Sequence, residues 1–407
     1  MGGLLFSMHM EPVFDFLGIL QILAGAYLLY QAIKWLVYAQ RRAATDPGFF
    51  SPRTAVICPC KGVEPGLERN LSALCEFDYQ NYEIFFVLAS ESDPAASIVK
   101  RVASQSRRKA HVLFAGAPQN CSEKINNLRA VVQQLPEEFE IMVFADSDGR
   151  PGHSWLRRLI APLRDPGIGS TTTMRWLIPN KNNLPSLLLA AWNAPILTML
   201  GENTAKNFCW GGGTGIRKTV FEQSGVLEEW QNSVSDDYSM TAALQRSGRP
   251  IVFLPECITV SYVETDFAGL MEFTNRQILI TRVYARKIWG AAFATHFLFC
   301  ATILLGLVLT LGDLLAGRPS MQVLALAFLP LLLAAIRGAI RVTVVQEMLP
   351  ELKSQIQGQA WIHLIVGVWI PYLYVVNFLN SVVSRKIRWR GISYELISAN
   401  QTRILGR

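Results

Sequence analysis

Charge is what this chain has least of. Only 17% of its 407 residues are Asp, Glu, Lys or Arg, against 51% hydrophobic, a balance too apolar for an ordinary soluble enzyme of this length. Cysteine lacks pattern. Cys58, Cys60, Cys75, Cys121, Cys209, Cys257 and Cys300 are scattered, mostly through apolar runs, with no zinc-finger spacing among them. Cys58-Pro-Cys60 is a poor metal clip, so the sequence predicts reduced core cysteines in a reducing compartment. No G-x-G-x-x-G stands at the first strand–helix turn. Gly211-Gly212-Gly213-Thr214-Gly215-Ile216-Arg217-Lys218-Thr219 resembles a P-loop only briefly, because Arg217 occupies the required glycine position. A Walker-type ATPase is thereby excluded. The basic residues are not interleaved with aromatics, so no nucleic-acid partner is expected, and there are no internal repeats or low-complexity stretches.

What is present begins with a surplus of bases, 38 Lys and Arg against 31 Asp and Glu, which suits contact with anionic headgroups or nucleotide phosphates. Phe14 to Tyr38 is apolar over roughly the ~20 residues a spanning helix needs. Acidic Glu11 and Asp15 precede it, and Lys34, Arg41 and Arg42 close it, the flanks of an uncleaved anchor rather than a signal peptide. The positive-inside rule then places the following residues in the cytoplasm. Ala291–Leu315, Met321–Ile336 and Trp361–Val383 are further candidate spans. Three crossings would carry Arg385, Lys386, Arg388 and Arg390 to the wrong side, so one incomplete crossing, re-entrant or interfacial, is favoured. Leu187–Leu200 is apolar but short and reads as an interfacial helix, with a buried core helix as the alternative. These segments divide the chain into an anchor (1–42), a cytoplasmic domain (43–290), membrane helices (291–384) and a basic tail (385–407).

Between Pro52 and Tyr262 apolar strand-like runs alternate with helical ones. Thr54–Cys58, Glu83–Leu88, His111–Phe114 and Ile141–Phe144 read as strands, separated by helices over Gly66–Cys75, Pro94–Ser106 and Lys124–Gln134. That alternation predicts an α/β domain with a mostly parallel sheet. Ligands of such sheets bind beyond the strands' carboxyl ends, where Asp146 and Asp148 would sit, spaced to face one hard cation that in turn grips a diphosphate. Asp93 follows the second strand, where it could accept hydrogen bonds from a nucleotide base or merely cap the helix at Pro94. Lys124, Asn126 and Asn127 open the next helix and could reach a base or a phosphate. Trp210-Gly211-Gly212-Gly213-Thr214-Gly215 offers close backbone approach beside an aromatic, as a loop under a sugar or headgroup would. Asp236 and Asp237 head the helical run Ser239–Gln245, where a carboxylate serves either as a cap or as a general base. No histidine is a good rival base.

The order Lys61-Gly62-Val63-Glu64-Pro65, Asp93-Pro94, Lys124-Ile125-Asn126-Asn127-Leu128, Asp146-Ser147 and Asp236-Asp237-Tyr238 resembles ceramide glucosyltransferase and its bacterial relatives. These are membrane-bound inverting glycosyltransferases of the GT-A fold. The likeness runs from about Pro52 to Arg286 and resumes at Ile387-Arg388-Trp389-Arg390-Gly391-Ile392-Ser393-Tyr394. It implies that Asp93 contacts uridine, that Asp146 and Asp148 hold the nucleotide-sugar and a Mg²⁺ or Mn²⁺ ion, and that Asp237 is the base. The family's (Gln/Arg)-x-x-Arg-Trp motif is broken in Asn275–Val283, leaving Arg276, Gln277 and Arg282 as candidates for the diphosphate or the acceptor. Trp210, Gly211, Gly212 and Gly213 are the acceptor candidates. The implied reaction moves one sugar, glucose, from a UDP-sugar to a lipid hydroxyl such as that of ceramide, at the cytoplasmic side of the bilayer. The alternatives are a diacylglycerol, hopanoid or polyprenyl phosphate acceptor, a processive polysaccharide synthase, and a non-catalytic membrane scaffold.

Overall fold

A computed structural model describes residues 2–406, with side chains from residue 11 onward. Helix α1 (Gly2–Ala43) leads into β1 (Thr54–Pro59), α2 (Leu67–Leu74), β2 (Tyr82–Leu88), α3 (Ala96–Gln105), β3 (Ala110–Phe114), α4 (Glu123–Val132) and β4 (Ile141–Ala145). After α5 (Trp155–Ile160) come β5 (Ser170–Thr172), β6 (Arg175–Pro179), α6 (Leu184–Leu197), β7 (Gly213–Arg217), α7 (Lys218–Gln223) and α8 (Val226–Glu229). Next are α9 (Asp236–Arg246), β8 (Ile251–Phe253), β9 (Thr259–Val263) and α10 (Phe267–Tyr284). Beyond these lie α11 (Arg286–Leu315), α12 (Met321–Met348), α13 (Lys353–Gly358), α14 (Ala360–Leu364) and α15 (Ile370–Val383), then a tail of β10 (Lys386–Trp389), β11 (Ile392–Ser398) and β12 (Gln401–Gly406).

The seven-stranded sheet runs β3-β2-β1-β4-β7-β5-β8. Strands β1 to β4 are parallel, and β7 inserts antiparallel between β4 and β5. The largely apolar sequences of β1, β2 and β4 are those of strands covered on both faces, and every residue of β2 and β4 is buried, whereas the edge strand β3 is only partly covered. One core lies under α2, α3 and α5, the other under α4 and α9. The chain winds outward from β1 through β2 to β3, then returns to add β4 on the other side of β1. The crevice at that reversal is where ligands of doubly wound sheets bind, and it opens at Pro59 and Ala145.

Among the described residues, four helical stretches are long and apolar enough to cross a membrane. Helices α1 and α12 run side by side in the same direction. Gly18 meets Leu326 and Gly25 meets Leu333, while Asp15 is tied to Gln322 at 2.8 Å and Gln40 to Glu347 at 3.2 Å. Those polar ties bracket 25 residues of helix, about 37 Å at 1.5 Å per residue, enough to enclose a hydrocarbon core of about 30 Å. Trp35 and Tyr38 of α1 and Val342, Val344 and Val345 of α12 pack with Trp176 and Trp210, so both helices end against the α/β domain. Helix α11 leaves that domain and α12 returns to it.

The fourth stretch, residues 360–383, is broken into α14, a short 3₁₀ turn at Val366–Trp369 and α15. At 14 residues α15 spans about 21 Å, less than a bilayer core, and its Phe378 packs on Trp289 and Phe293 near the start of α11. The tail sheet lies against the α/β domain, with Ile387, Ile392, Tyr394 and Leu396 buried beside Val234, Leu279 and Ile280. The tail therefore ends on the domain's side of the membrane helices.

Helix α6 is a buried helix, the alternative that its apolar sequence left open. Ten of its fourteen residues are buried; Trp192 stacks on Tyr374 at 4.8 Å and donates to Asn377 Oδ1 at 3.1 Å. A helix apolar on all faces is one covered on all faces, here by β6, α10 and α15.

Candidate active site

A cavity of about 490 Å³ opens at the switch point and is lined by Lys124, Asn127, Asp146, Asp148, Trp210, Gly211, Asp236, Asp237, Arg276 and Gln277. Residues from Pro59 to Tyr394 thus share one space. Asp146 and Asp148 stand just past the end of β4. Lys124, in the first turn of α4, spans Asp146 Oδ1 at 2.8 Å and Asp236 Oδ2 at 3.0 Å. Ser122 caps α4 by accepting from the Ile125 amide at 3.2 Å, and its own amide donates to the Ser233 carbonyl at 3.0 Å, which ties α4 to the segment leading into α9.

Helix α9 is set by its own first residues. Ser235 is the N-cap and accepts from the Tyr238 amide at 3.3 Å. Asp237 Oδ1 accepts from the same amide at 2.8 Å and from the Ser235 hydroxyl. The Asp237 carbonyl takes the Thr241 hydroxyl at 2.7 Å, and Thr241 Oγ1 takes the Cys209 amide at 2.9 Å, fixing Trp210 beside the acids. Tyr238 and Tyr284 reach across to Thr281 and Ser233, each at 2.8 Å, and lock α9 to α10.

Burial, reinforced by the charges of Asp237 and Asp146, pushes the Asp236 carboxyl up to about 6 despite its bond to Lys124. Asp146 moves the other way. Burial would raise it, but Lys124, Arg175 and Arg390 hold it below the usual carboxylate range. Lys124 is buried, yet its carboxylate partners keep its ammonium charged far above neutrality.

Several expected residues stand elsewhere. Asp93 lies outside this cavity, lining a smaller neighbour of about 220 Å³ with Ser90, Ser92 and Glu123. Its Oδ1 accepts from the Ala95 amide at 2.8 Å and the Gly62 amide at 2.9 Å, so it does turn the chain into α3, the local role that Pro94 suggested. Glu123 borders both spaces. Arg282 is turned from the cavity toward the Ser384 carbonyl at 3.5 Å. Gly212 and Gly213 sit beneath the Trp210 ring rather than on the cavity wall, and a side chain at Gly212 would strike that ring and Asp146. At Gly211 one would overlap the Asp236 carboxylate and the Lys124 ammonium. The glycines let the acids and Lys124 approach the backbone.

The cavity also holds residues to which the sequence assigns no site role. Arg175, at the start of β6, donates to Asp148 Oδ2 at 3.3 Å. Arg390 and Trp389 arrive from the tail, and Arg390 pairs with Glu64 at 2.6 Å. Tyr394 accepts from the Glu123 amide at 3.2 Å.

A divalent cation fits this donor set. Asp148 Oδ1 is buried with no hydrogen-bond partner, a lone pair left for a ligand. The wall carries eight carboxylates, Glu64, Glu123, Asp146, Asp148, Asp236, Asp237, Glu264 and Glu272, against five cationic side chains. An anionic nucleotide entering such a wall gains from a neutralising cation. No cluster of three His, Cys, Asp or Glu occurs among the described residues; an Mg²⁺-like ion needs only one or two carboxylates plus substrate phosphates.

Residues 17–402 match the family described as "Glycosyl transferase family 21". Among solved structures, the chain is similar to mannosyltransferase PcManGT from Pyrobaculum calidifontis in complex with GDP-Man and Mn²⁺ (15% identity, 91% of this chain and 98% of that one, TM-score 0.48). It is also similar to S. aureus TarS 1-349 in complex with UDP-GlcNAc (10% identity, 86% and 98%, TM-score 0.39).

Proposed function

This chain belongs to glycosyl transferase family 21, and from that premise we propose that it moves a single glucose from UDP-glucose to the hydroxyl of a membrane lipid such as ceramide. It is a glycosyltransferase of the GT-A type with membrane-spanning helices. The observation that carries the finer reading is the meeting of Lys124, Asp146, Asp148, Asp236 and Asp237 in one cavity, beside helices α6 and α10 that pack on the membrane-associated α15. A soluble acceptor would not require a site built against that layer.

Asp237 takes the proton from the lipid hydroxyl as it attacks the anomeric carbon in line, inverting its configuration. Only its Oδ1 is tied to Ser235 and Tyr238, which fixes the carboxylate while its other oxygen remains for the proton. Asp236 and Lys124 hold Asp146 in place, and Lys124 adds a permanent positive charge near the donor phosphates. Asp148 and Asp146 would hold Mg²⁺ or Mn²⁺. Such an ion neutralises charge on a departing nucleoside diphosphate, commonly a large contribution in water-poor sites. Asn127 and Gln277 line the same space and serve the donor; Trp210 offers its ring to the acceptor. The domain faces the cytoplasm, supported by Arg41, Arg42, Arg286, Lys287, Arg385 and Lys386 at the domain-side ends of the membrane helices.

The test is incubation of the purified full-length protein in detergent with radiolabelled UDP-sugars, Mg²⁺ or Mn²⁺, and a panel of lipids. Glucosylation of a lipid hydroxyl is expected. Transfer to polyprenyl phosphate alone, or absence of any metal-dependent UDP-sugar binding, would overturn the reading.

A further inference from the structure

The hairpin joining β10 and β11 does not stay with its own small sheet; its turn enters the cavity. Arg390 there has φ +48, followed by Gly391 at +84. The left-handed region is costly for a long side chain, and such departures persist where surrounding contacts over-determine them. Here those contacts are specific: Arg390 donates to the Lys61 carbonyl at 2.5 Å and to Glu64 at 2.6 Å. A guanidinium has five N–H donors in a rigid fork, so three remain for whatever occupies the cavity.

Trp389, the residue before Arg390, covers Arg276. The Arg276 guanidinium lies 5.3 Å from the Trp389 ring and 5.1 Å from the Phe273 ring. Unlike Arg175, which pairs with Asp148, it forms no ion pair among the described residues. Burial and the charges of Arg175 and Arg390, opposed by those of Glu272 and Asp148, lower its pKa to about 10, so it stays cationic at neutral pH. A half-buried guanidinium with no direct ion pair is incompletely compensated, and the two flanking rings, with the more distant carboxylates of Glu272 and Asp148, offset only part of that cost. An anionic ligand supplies the rest.

We propose that the C-terminal hairpin is a wall of the donor site, in which Arg390 and the Trp389-backed Arg276 bind the diphosphate of the nucleoside diphosphate sugar. This rests on the reading of the protein as a nucleotide-sugar transferase. Of the two substrates in that reaction only the donor is anionic, since a lipid hydroxyl carries no charge for two arginines to recognise. Arg390 also lies close enough to Asp146 and Asp148 to interact with both electrostatically, and these are the residues assigned to the donor's metal.

Calorimetric titration of the full-length protein in detergent with UDP and with uridine, in the presence of Mg²⁺, tests the assignment. Wild type is expected to bind UDP more tightly than uridine. Arg390→Gln should weaken UDP binding roughly 10- to 100-fold, the loss of charge-assisted hydrogen bonds, and leave uridine binding unchanged; Arg390→Lys should recover part of the loss. The lysine variant also keeps the charge that pairs with Glu64, which guards against a fold defect. Equal loss of UDP and uridine binding, or unaltered UDP binding by Arg390→Gln, would overturn the hairpin's role while the wild type's activity still stood. Wild type that bound no nucleoside diphosphate would remove the donor reading itself, and this assignment with it.

Discussion

Asp237 and Asp236 are neighbours in sequence with different surroundings, and their predicted behaviour separates accordingly. Asp237 is held by one oxygen and lines the cavity. Asp237→Asn keeps the shape and the Tyr238 contact but cannot accept a proton, so transfer should fall by about 10²- to 10⁴-fold while UDP-sugar binding by calorimetry persists. Near-normal turnover would remove Asp237 from the chemistry. Asp236 is buried against Lys124 with its pKa raised to about 6. A carboxyl whose pKa is higher folded than unfolded binds its proton more tightly in the native state, so the stability it contributes is greatest below about pH 4 and is lost as pH rises through about 6. Asp236→Asn mimics the protonated form. The melting temperature of that variant relative to wild type should therefore rise between pH 5 and pH 8, and a pH-independent difference would contradict the assignment. Both acids, Lys124, Asp146 and Asp148 were legible because each sits in a short local pattern at a strand end or helix start. Arg175 was not, being a lone arginine heading a five-residue strand. Arg390 stood in a recognisable tail segment, but nothing local says that the tail folds back 329 residues to Lys61.

At the scale of elements, β1 to β4 and the helices between them follow from apolar runs with helical spacers. Strands β5, β6, β8 and β9 do not. Ser170–Thr173 is fully buried yet polar, and the hydroxyls of Ser170, Thr171 and Thr172 bond Cys209, the Gly215 carbonyl and Thr214; a threonine run reads as surface until its partners are known. Helix α6 showed the converse, since apolarity on every face does not say whether lipid or protein covers it. The broken stretch 360–383 carries a consequence that can be measured. Because α15 is short and the tail docks on the α/β domain, positions 318 and 400 should face opposite sides of the membrane, with 400 on the domain's side. The seven native cysteines are buried, so single variants Arg318→Cys and Asn400→Cys can be labelled in sealed vesicles with an impermeant maleimide. Labelling of both from one face would contradict this path of the chain.

As a whole, the molecule joins an α/β domain to a membrane layer through α1, α6, α10 and α12, and closes the cavity between them with its own C-terminal hairpin. Residues drawn from β4, α4, α9, α10 and the tail meet only when the entire chain has folded, which is why the acids could be named from sequence but their enclosure could not. Asp237 as the single general base predicts one in-line displacement per transfer. The most direct test is the nuclear magnetic resonance spectrum of the lipid product formed from UDP-glucose, whose glucose is α-linked. A single glucose in β-linkage on the lipid hydroxyl is predicted; an α-linkage, or a chain of several sugars, would contradict the account.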